Sequence, residues 1–264
     1  MNIKKHIPNF LTCCNLLCGC IGILLVSQMQ LTVAAYFIFL ACVFDFFDGF
    51  AARALKVSSP IGKDLDSLAD MVTFGVLPGF IMFQLMGGFY YIGIYVDSVE
   101  MIPDFVDNEL SWRLFGSSIA LIIPIFSALR LAKFNNDDRQ SDKFIGLPTP
   151  ANALFIASLG MLIENNKLLD SFIHPIVDNT PNSLFFIFIP LTILLSYLLV
   201  AELPLIALKF KNFSWLDNKM RYLLIISSII LLIILNIAAI PIIIILYIIL
   251  SLIENKLMSP KINL

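Results

Sequence analysis

The stretch "DFFDGFAARALKVSSPIGKDLDSLAD" (residues 45–70) places four aspartates, Asp45, Asp48, Asp66 and Asp70, inside or beside long apolar runs. Counted from Asp45, the residues Asp48, Gly49, Ala52 and Arg53 fall at offsets of three, four, seven and eight, which share one face of a helix. Phe46, Phe47, Phe50 and Ala51 point elsewhere, towards lipid or other helices. After a turn with Ser58, Ser59 and Pro60, a second helix carries Gly62, Asp66 and Asp70 on one face, at offsets of four and eight. Consecutive helices on a short connection are antiparallel neighbours, so the two acidic faces are expected to meet. Asp64 lies off that face and reads as a solvated residue near a helix start.

The rest of the chain supplies the setting. Of its 264 residues, 59% are hydrophobic and 14% charged, with a mean hydropathy of +0.92. A water-exposed surface needs more charge than that. Eight apolar segments approach the roughly 20 residues of a membrane-crossing helix. They cover about 8–27, 31–53, 66–86, 112–131, 149–163, 183–201, 221–238 and 240–256. The predicted class is all-α, a polytopic transmembrane helical bundle of about eight spans. The ten-residue alternation of a transmembrane barrel is absent. Pro241 also permits the last two segments to form a re-entrant hairpin.

Charge placement sets the orientation. With residue 1 in the cytoplasm, only Arg113 and Lys167 among the basic residues fall outside, while the outer loop of 87–111 carries Asp97, Glu100, Asp104, Asp107 and Glu109. Basic residues collect on the cytoplasmic side, so both termini are expected there. A net charge of −2 gives no reason to expect a nucleic-acid partner. The start, "MNIKKHIPNFLTCCNLLCGCIGILLVS" (residues 1–27), lacks a small-residue cleavage site and reads as an uncleaved first span. "LCGC" (17–20) is a faint lipoprotein-type box. Cys13, Cys14, Cys18, Cys20 and Cys42 all lie in spans; with Gly19 and Gly22 nearby, they suit close helix packing better than zinc or disulfides.

Four carboxylates gathered in a membrane protein are expensive, at about 2.5–3.5 kcal/mol for one central Asp, with mutual repulsion added. Arg53 and Lys63 are too few to neutralise them. Protonation would relieve the repulsion, and so would two divalent cations, for which oxygen-only ligands select Mg2+ or Mn2+. Paired ions of this kind suit phosphoryl chemistry. Gly49 and Gly62 leave room for a ligand near the backbone, Arg53 offers a planar fork to phosphate, and Ser59 a hydroxyl in the turn.

These residues spell Asp45-x2-Asp48-Gly49-x2-Ala52-Arg53-x8-Gly62-x3-Asp66-x3-Asp70. The pattern resembles, without departure, the signature of the CDP-alcohol phosphatidyltransferases. The resemblance implies that a CDP-linked lipid is cleaved between its phosphates and its lipid phosphate passed to a hydroxyl. It also implies that Asp45, Asp48 and Asp66 hold one metal ion and Asp45, Asp66 and Asp70 a second. Asp70 would be the base for the acceptor hydroxyl. Gly49, Arg53 and Ser59 match positions that contact the CDP-lipid, as do Pro8, Asn9 and Thr12 of "PNFLT" (8–12).

"FSALRLAKFN" (126–135) and "FIGLPTPANA" (144–153) resemble the membrane-embedded phosphatidylserine synthase branch of that family. The implied donor is CDP-diacylglycerol and the implied acceptor L-serine, with Arg130 as an acceptor-site residue. Positive-inside topology equally explains the charge of Arg130, Lys133, Arg139 and Lys143. The resemblance covers roughly residues 5–160 and implies a homodimer in the cell membrane, with its active site on the cytoplasmic side. The expected division is a core of six spans over 1–201 and a C-terminal pair of helices over 202–264. Other acceptors, glycerol 3-phosphate or inositol phosphate, stay open. An intramembrane prenyltransferase would carry two separated Asp-rich motifs, and an acid-lined cation transporter paired inverted halves. His6 and His174 are poorly placed for catalysis, and no triad suggests a covalent enzyme.

Overall fold

The computed structural model describes residues 6–57, 59–89, 92, 114–136, 144–165, 183–207, 212, 214–215 and 217–258. The acids expected at 97–109, together with Arg113, Arg139, Lys143, Lys167 and His174, lie outside the described residues. Within them the chain is almost wholly helical. Five segments are long and apolar enough to cross a membrane: His6–Ser27, Leu31–Leu55, Pro60–Leu85, Leu114–Asn136 and Lys219–Lys256. Thr149–Glu164 and Phe186–Val200 are shorter apolar helices.

Helix α1 (His6–Ser27) takes Pro8 in its first turn, where no intrahelical donor is lost. It packs along α2 (Leu31–Leu55), which ends on Lys56 in the left-handed region, φ 52°. The next segment starts earlier than the apolar run that suggests 66. Helix α3 (Pro60–Asp70) begins with Ser59 as N-cap and Pro60 at its first position; the Ser59 Oγ accepts from Gly62 N–H at 3.0 Å. Capping chemistry, not hydrophobicity, sets this boundary, because α3 is amphipathic. A π-helical turn (Met71–Val76) joins α3 to α4 (Leu77–Leu85).

Small residues let the neighbours close on this segment. A Cβ on Gly19 of α1 would sit 3.0 Å from the Thr73 Cα, and one on Gly22 would meet Leu77. On the other side, a Cβ on Gly75 would lie 3.0 Å from Ser127 Cβ, and one on Gly79 would lie 2.7 Å from Pro124 Cδ. Those partners belong to α5 (Ile122–Asn136), which follows a short 3-10 turn, Ser118–Leu121. Cys18 is buried in the core, and all five cysteines are free.

After α5 come β1 (Phe144–Ile145), α6 (Thr149–Glu164), α7 (Ser183–Val200) and β2 (Pro204–Leu205). The strands form a two-residue antiparallel bridge with Phe144 opposite Leu205. Gly146 has φ +78° and donates its N–H to the Leu203 carbonyl. A Cβ there would fall 2.6 Å from Leu199 O, so this corner requires glycine. At its far end α6 presents Glu164, whose carboxylate accepts from the backbone N–H groups of Leu31 and Thr32. It thereby caps the start of α2, which has no side-chain cap from its own N-cap residue.

The last segment is two helices, α8 (Lys219–Leu235) and α9 (Ala239–Met258). Arg221 at the start of α8 lies 3.8 Å from Glu254 near the end of α9, so the pair is an antiparallel hairpin. Its tip is Asn236–Ala238, a few residues before Pro241. Tyr247 donates to Ile206 O, and Ser251 Oγ accepts from Ile206 N–H, seating α9 against the bridge.

Candidate active site

The two acidic faces meet. Carboxylate oxygens of Asp45 and Asp48 on α2 and Asp66 on α3 all lie within 4.8 Å of one another. Asp48 is buried, and Asp45 and Asp66 are half-buried. Phe46, Phe47 and Phe50 are exposed on the opposite face of α2, and Asp64 is exposed on α3. Asp70 sits one turn beyond Asp66 and stays within electrostatic reach of Asp45, Asp66 and Asp48.

Helix α1 holds these acids in place. Thr12 Oγ1 donates to Asp48 Oδ2 at 2.7 Å and itself lies 3.0 Å from the Pro8 carbonyl oxygen. Asn15, fully buried one turn further on, donates its amide to Asp70 Oδ1 at 3.0 Å. The Asn15 carbonyl in turn accepts from Thr73 Oγ1 in the π turn, at 3.0 Å. One helix therefore fixes an acid on each of the other two. Asn15 was not singled out in the sequence, although Asn9, Thr12 and Asn15 recur every third residue along one side of α1.

Asp66 Oδ1 is buried and has no hydrogen-bond partner. Three close carboxylates with an orphaned oxygen are costly as bare anions, and a cation or a proton would relieve that cost. An all-oxygen set of this kind fits a hard divalent cation, and the residues present are the right ones to hold it.

Beside the triad opens a cleft of about 250 Å3, lined by Pro8, Asn9, Thr12, Asp48, Gly49, Ala52, Val57, Ser59, Gly62, Lys63 and Asp66. The structure thus brings the "PNFLT" start, Gly49 and Ser59 to one wall system. A Cβ on Gly62 would sit 3.1 Å from Asn9 Oδ1, so glycine there keeps the floor open. Arg53 lies at the rim, with its guanidinium folded against Gly49, rather than in the lining. Lys63 Nζ donates to the Asn135 carbonyl, and Asn135 Nδ2 donates to Ser67 Oγ, tying the end of α5 to α3.

Arg130 is placed differently. It is buried on α5, with its guanidinium 5.1 Å from the centre of the Phe134 ring, and it acts electrostatically on Tyr247 of α9. It lies outside the lining of the cleft, across the π turn.

The family model for CDP-alcohol phosphatidyltransferase matches residues 5–201. The chain is 35% identical over 146 residues to the CDP-diacylglycerol–serine O-phosphatidyltransferase of Bacillus subtilis, covering 55% of this chain and 70% of that protein. It is 28% identical to the protein of the same name in Helicobacter pylori, over 74% of this chain and 70% of the relative. The archaetidylserine synthase of Methanothermobacter thermautotrophicus is 29% identical, with 66% of this chain and 67% of the relative covered.

Proposed function

The chain belongs to the CDP-alcohol phosphatidyltransferase family, and from that premise we propose that it transfers the phosphatidyl group of CDP-diacylglycerol to the hydroxyl of L-serine, giving phosphatidylserine and CMP. The names of the bacterial relatives support the donor and the acceptor. The observation that carries the reaction class is the triad of Asp45, Asp48 and Asp66 adjoining a cleft with an unpartnered acid oxygen.

In this reading the cleft takes the cytidine diphosphate end of the donor. Asn9, Gly49 and Ser59 bound it, and Arg53 at the rim meets phosphate. Asp45, Asp48 and Asp66 would hold one divalent ion, and Asp45, Asp66 and Asp70 a second. When bound, these Mg2+ or Mn2+ ions supply the positive charge that offsets the diphosphate. Asn15 orients Asp70 through Oδ1 and leaves Oδ2 to take the hydroxyl proton. The acceptor oxygen bonds to the phosphorus that carries the diacylglycerol. The bond from that phosphorus to the bridging oxygen breaks, and CMP leaves with the bridging oxygen. Arg130, across the π turn from the cleft, takes the acceptor's carboxylate in this reading, as the family resemblance implies.

The proposed topology has eight crossings, with both termini and the acidic site at the cytoplasmic face of the cell membrane. The antiparallel α8–α9 hairpin supplies the last two, outside a core ending near residue 201. The proposed assembly is a homodimer, the state implied by the family resemblance. Purified protein given CDP-diacylglycerol, Mn2+ and competing serine, glycerol 3-phosphate and inositol phosphate is expected to release CMP with phosphatidylserine as the lipid product. Preference for a phosphorylated acceptor would overturn serine and keep the family. Absence of CMP release with serine and with every other alcohol would overturn the transfer reaction.

A further inference from the structure

Helix α2 begins without a cap of its own. Its N-cap residue, Gln30, offers the first turn no side-chain hydrogen bond. Glu164 at the end of α6 takes that place: Oε1 accepts from Leu31 N–H at 3.1 Å, and Oε2 accepts from Thr32 N–H. Asn165, the next residue, donates its amide to Thr32 Oγ1 at 3.0 Å and to the Met161 carbonyl at 2.8 Å. A carboxylate suits this position, because it meets free N–H groups and the positive end of the helix dipole.

The source of the cap matters. A Ser or Asp at position 30 would satisfy such donors from within the chain's own turn. It would leave α2 to settle against its neighbours as packing alone dictates. A cap carried by another helix forms only when the two helices stand at one height, so its stabilisation also fixes their register.

A second contact carries that register to the other acid-bearing segment. Gly160 lies one turn before Glu164, on the same face of α6. A Cβ there would fall 3.1 Å from Ile81 Cγ2 of α4 and 3.6 Å from Leu31 Cβ of α2. Leu31 and Ile81 are both buried. Within one turn, therefore, α6 touches the start of α2 and the middle of α4.

From this joint the two segments run to the acids over matching lengths. Asp45 lies 14 residues after Leu31, and Asp66 lies 15 residues before Ile81. At 1.5 Å rise per residue, that is roughly 21 Å along α2. No Pro or Gly interrupts α2 between Leu31 and Asp48, so the helix transmits a shift at its start to its acids. At the other end, carboxylate oxygens of Asp45, Asp48 and Asp66 lie within 4.8 Å of one another. Thr12 ties Asp48 to α1, whereas the joint ties α2 to the segment that carries Asp66.

We propose that Glu164 is a positioning residue for the acidic triad. With Gly160 and Asn165 it sets α2 against α4 from the opposite end of the bundle, and so sets Asp45 and Asp48 against Asp66. This rests on the triad as a metal site and extends that reading to α6, which supplies none of the acids.

Mn2+ binding to the purified protein tests it, with free Mn2+ followed by electron paramagnetic resonance at a temperature where each variant stays folded. Glu164→Ala is expected to raise the half-saturating Mn2+ concentration about threefold to tenfold, below the roughly 10- to 100-fold range for lost partners of the ligands themselves. Adding Gln30→Asp to that variant returns a cap to α2 without the tie to α6. Thermal stability should then recover while Mn2+ binding stays weak. A half-saturation within about twofold of the parent in Glu164→Ala overturns the inference. So does recovery of Mn2+ binding in the double variant, the result expected of a cap that only stabilises. If Glu164→Ala does not fold, the double variant alone decides: weak binding supports the joint, and parental binding overturns it. If neither folds, Asn165→Ala, which leaves the carboxylate in place, decides by the same measure. A parent protein that binds no Mn2+ fails the metal reading itself, before any variant is made, and this inference falls with it.

Discussion

Two membrane-compatible segments of similar apolar appearance behave as opposites. In Pro60–Leu85, 67% of the most apolar window is buried within the protein, whereas in the Lys219–Lys256 hairpin the share is 11%. The first carries Asp66, Asp70, Thr73 and two contact glycines. The second is nearly continuous Ile and Leu, with Ile229, Ile233 and Ile234 exposed. Lipid cannot hydrogen-bond, so polarity is tolerated only where protein surrounds it. Hydrophobicity therefore ranks the hairpin as the stronger membrane signal, while the proposed chemistry lies in the weaker one.

Substitutions should keep that contrast in order of effect. Asp70→Asn is expected to reduce turnover about 100- to 10,000-fold, the range for a lost general base, with the protein still extracted folded. Asp45→Asn should lose activity and also the thermal stabilisation given by Mn2+. Normal turnover in either would break the assignment of chemistry to the buried segment. Chelation of the parent protein should abolish CMP release, and added Mn2+ or Mg2+ should restore it; activity that survives chelation would count against the triad as a metal site.

Smaller effects test packing. Gly19→Ala forces a Cβ to within 3.0 Å of the Thr73 backbone, and such overpacking costs about 1–3 kcal/mol. It should also lower kcat, because Asn15 on the same helix holds Asp70. Glu164→Ala removes the cap of α2, at a cost of about 1–2 kcal/mol, measured by unfolding in detergent. Ile233→Ala, at a side chain 75% exposed, should change stability by no more than about 0.5 kcal/mol. A large loss there would mean that the hairpin face is covered by protein rather than lipid.

The acidic half of the site was legible because helical offsets are local: Asp45 and Asp48 need only each other and a helix to share a face. The turn with Ser59 and Pro60 then forced α3 back against α2. The holding residues were harder to read. Asn15 meets Asp70 across 55 positions, and Glu164 meets Leu31 across 133. A lone Asn or Glu near an apolar run does not announce which distant backbone or carboxylate it serves. The apolar run that suggests 66 begins later than α3, because an amphipathic helix at the mouth of a bundle is too polar to register as apolar. The boundary was written in its cap instead.

The π turn at Met71–Val76 also sets angular phase. Each added residue advances a helix by about 100°, so the wide turn lets the stretch below it aim Asp66 and Asp70 at α2 and α1. The stretch above it aims Gly79 at α5. Deleting one residue within 71–76 would leave a segment still long enough to cross the bilayer, yet rotate its two halves out of alignment. Insertion into the membrane would survive, and the carboxylates would face the wrong neighbour. Length and phase are thus separate requirements on this segment, and only phase answers to catalysis.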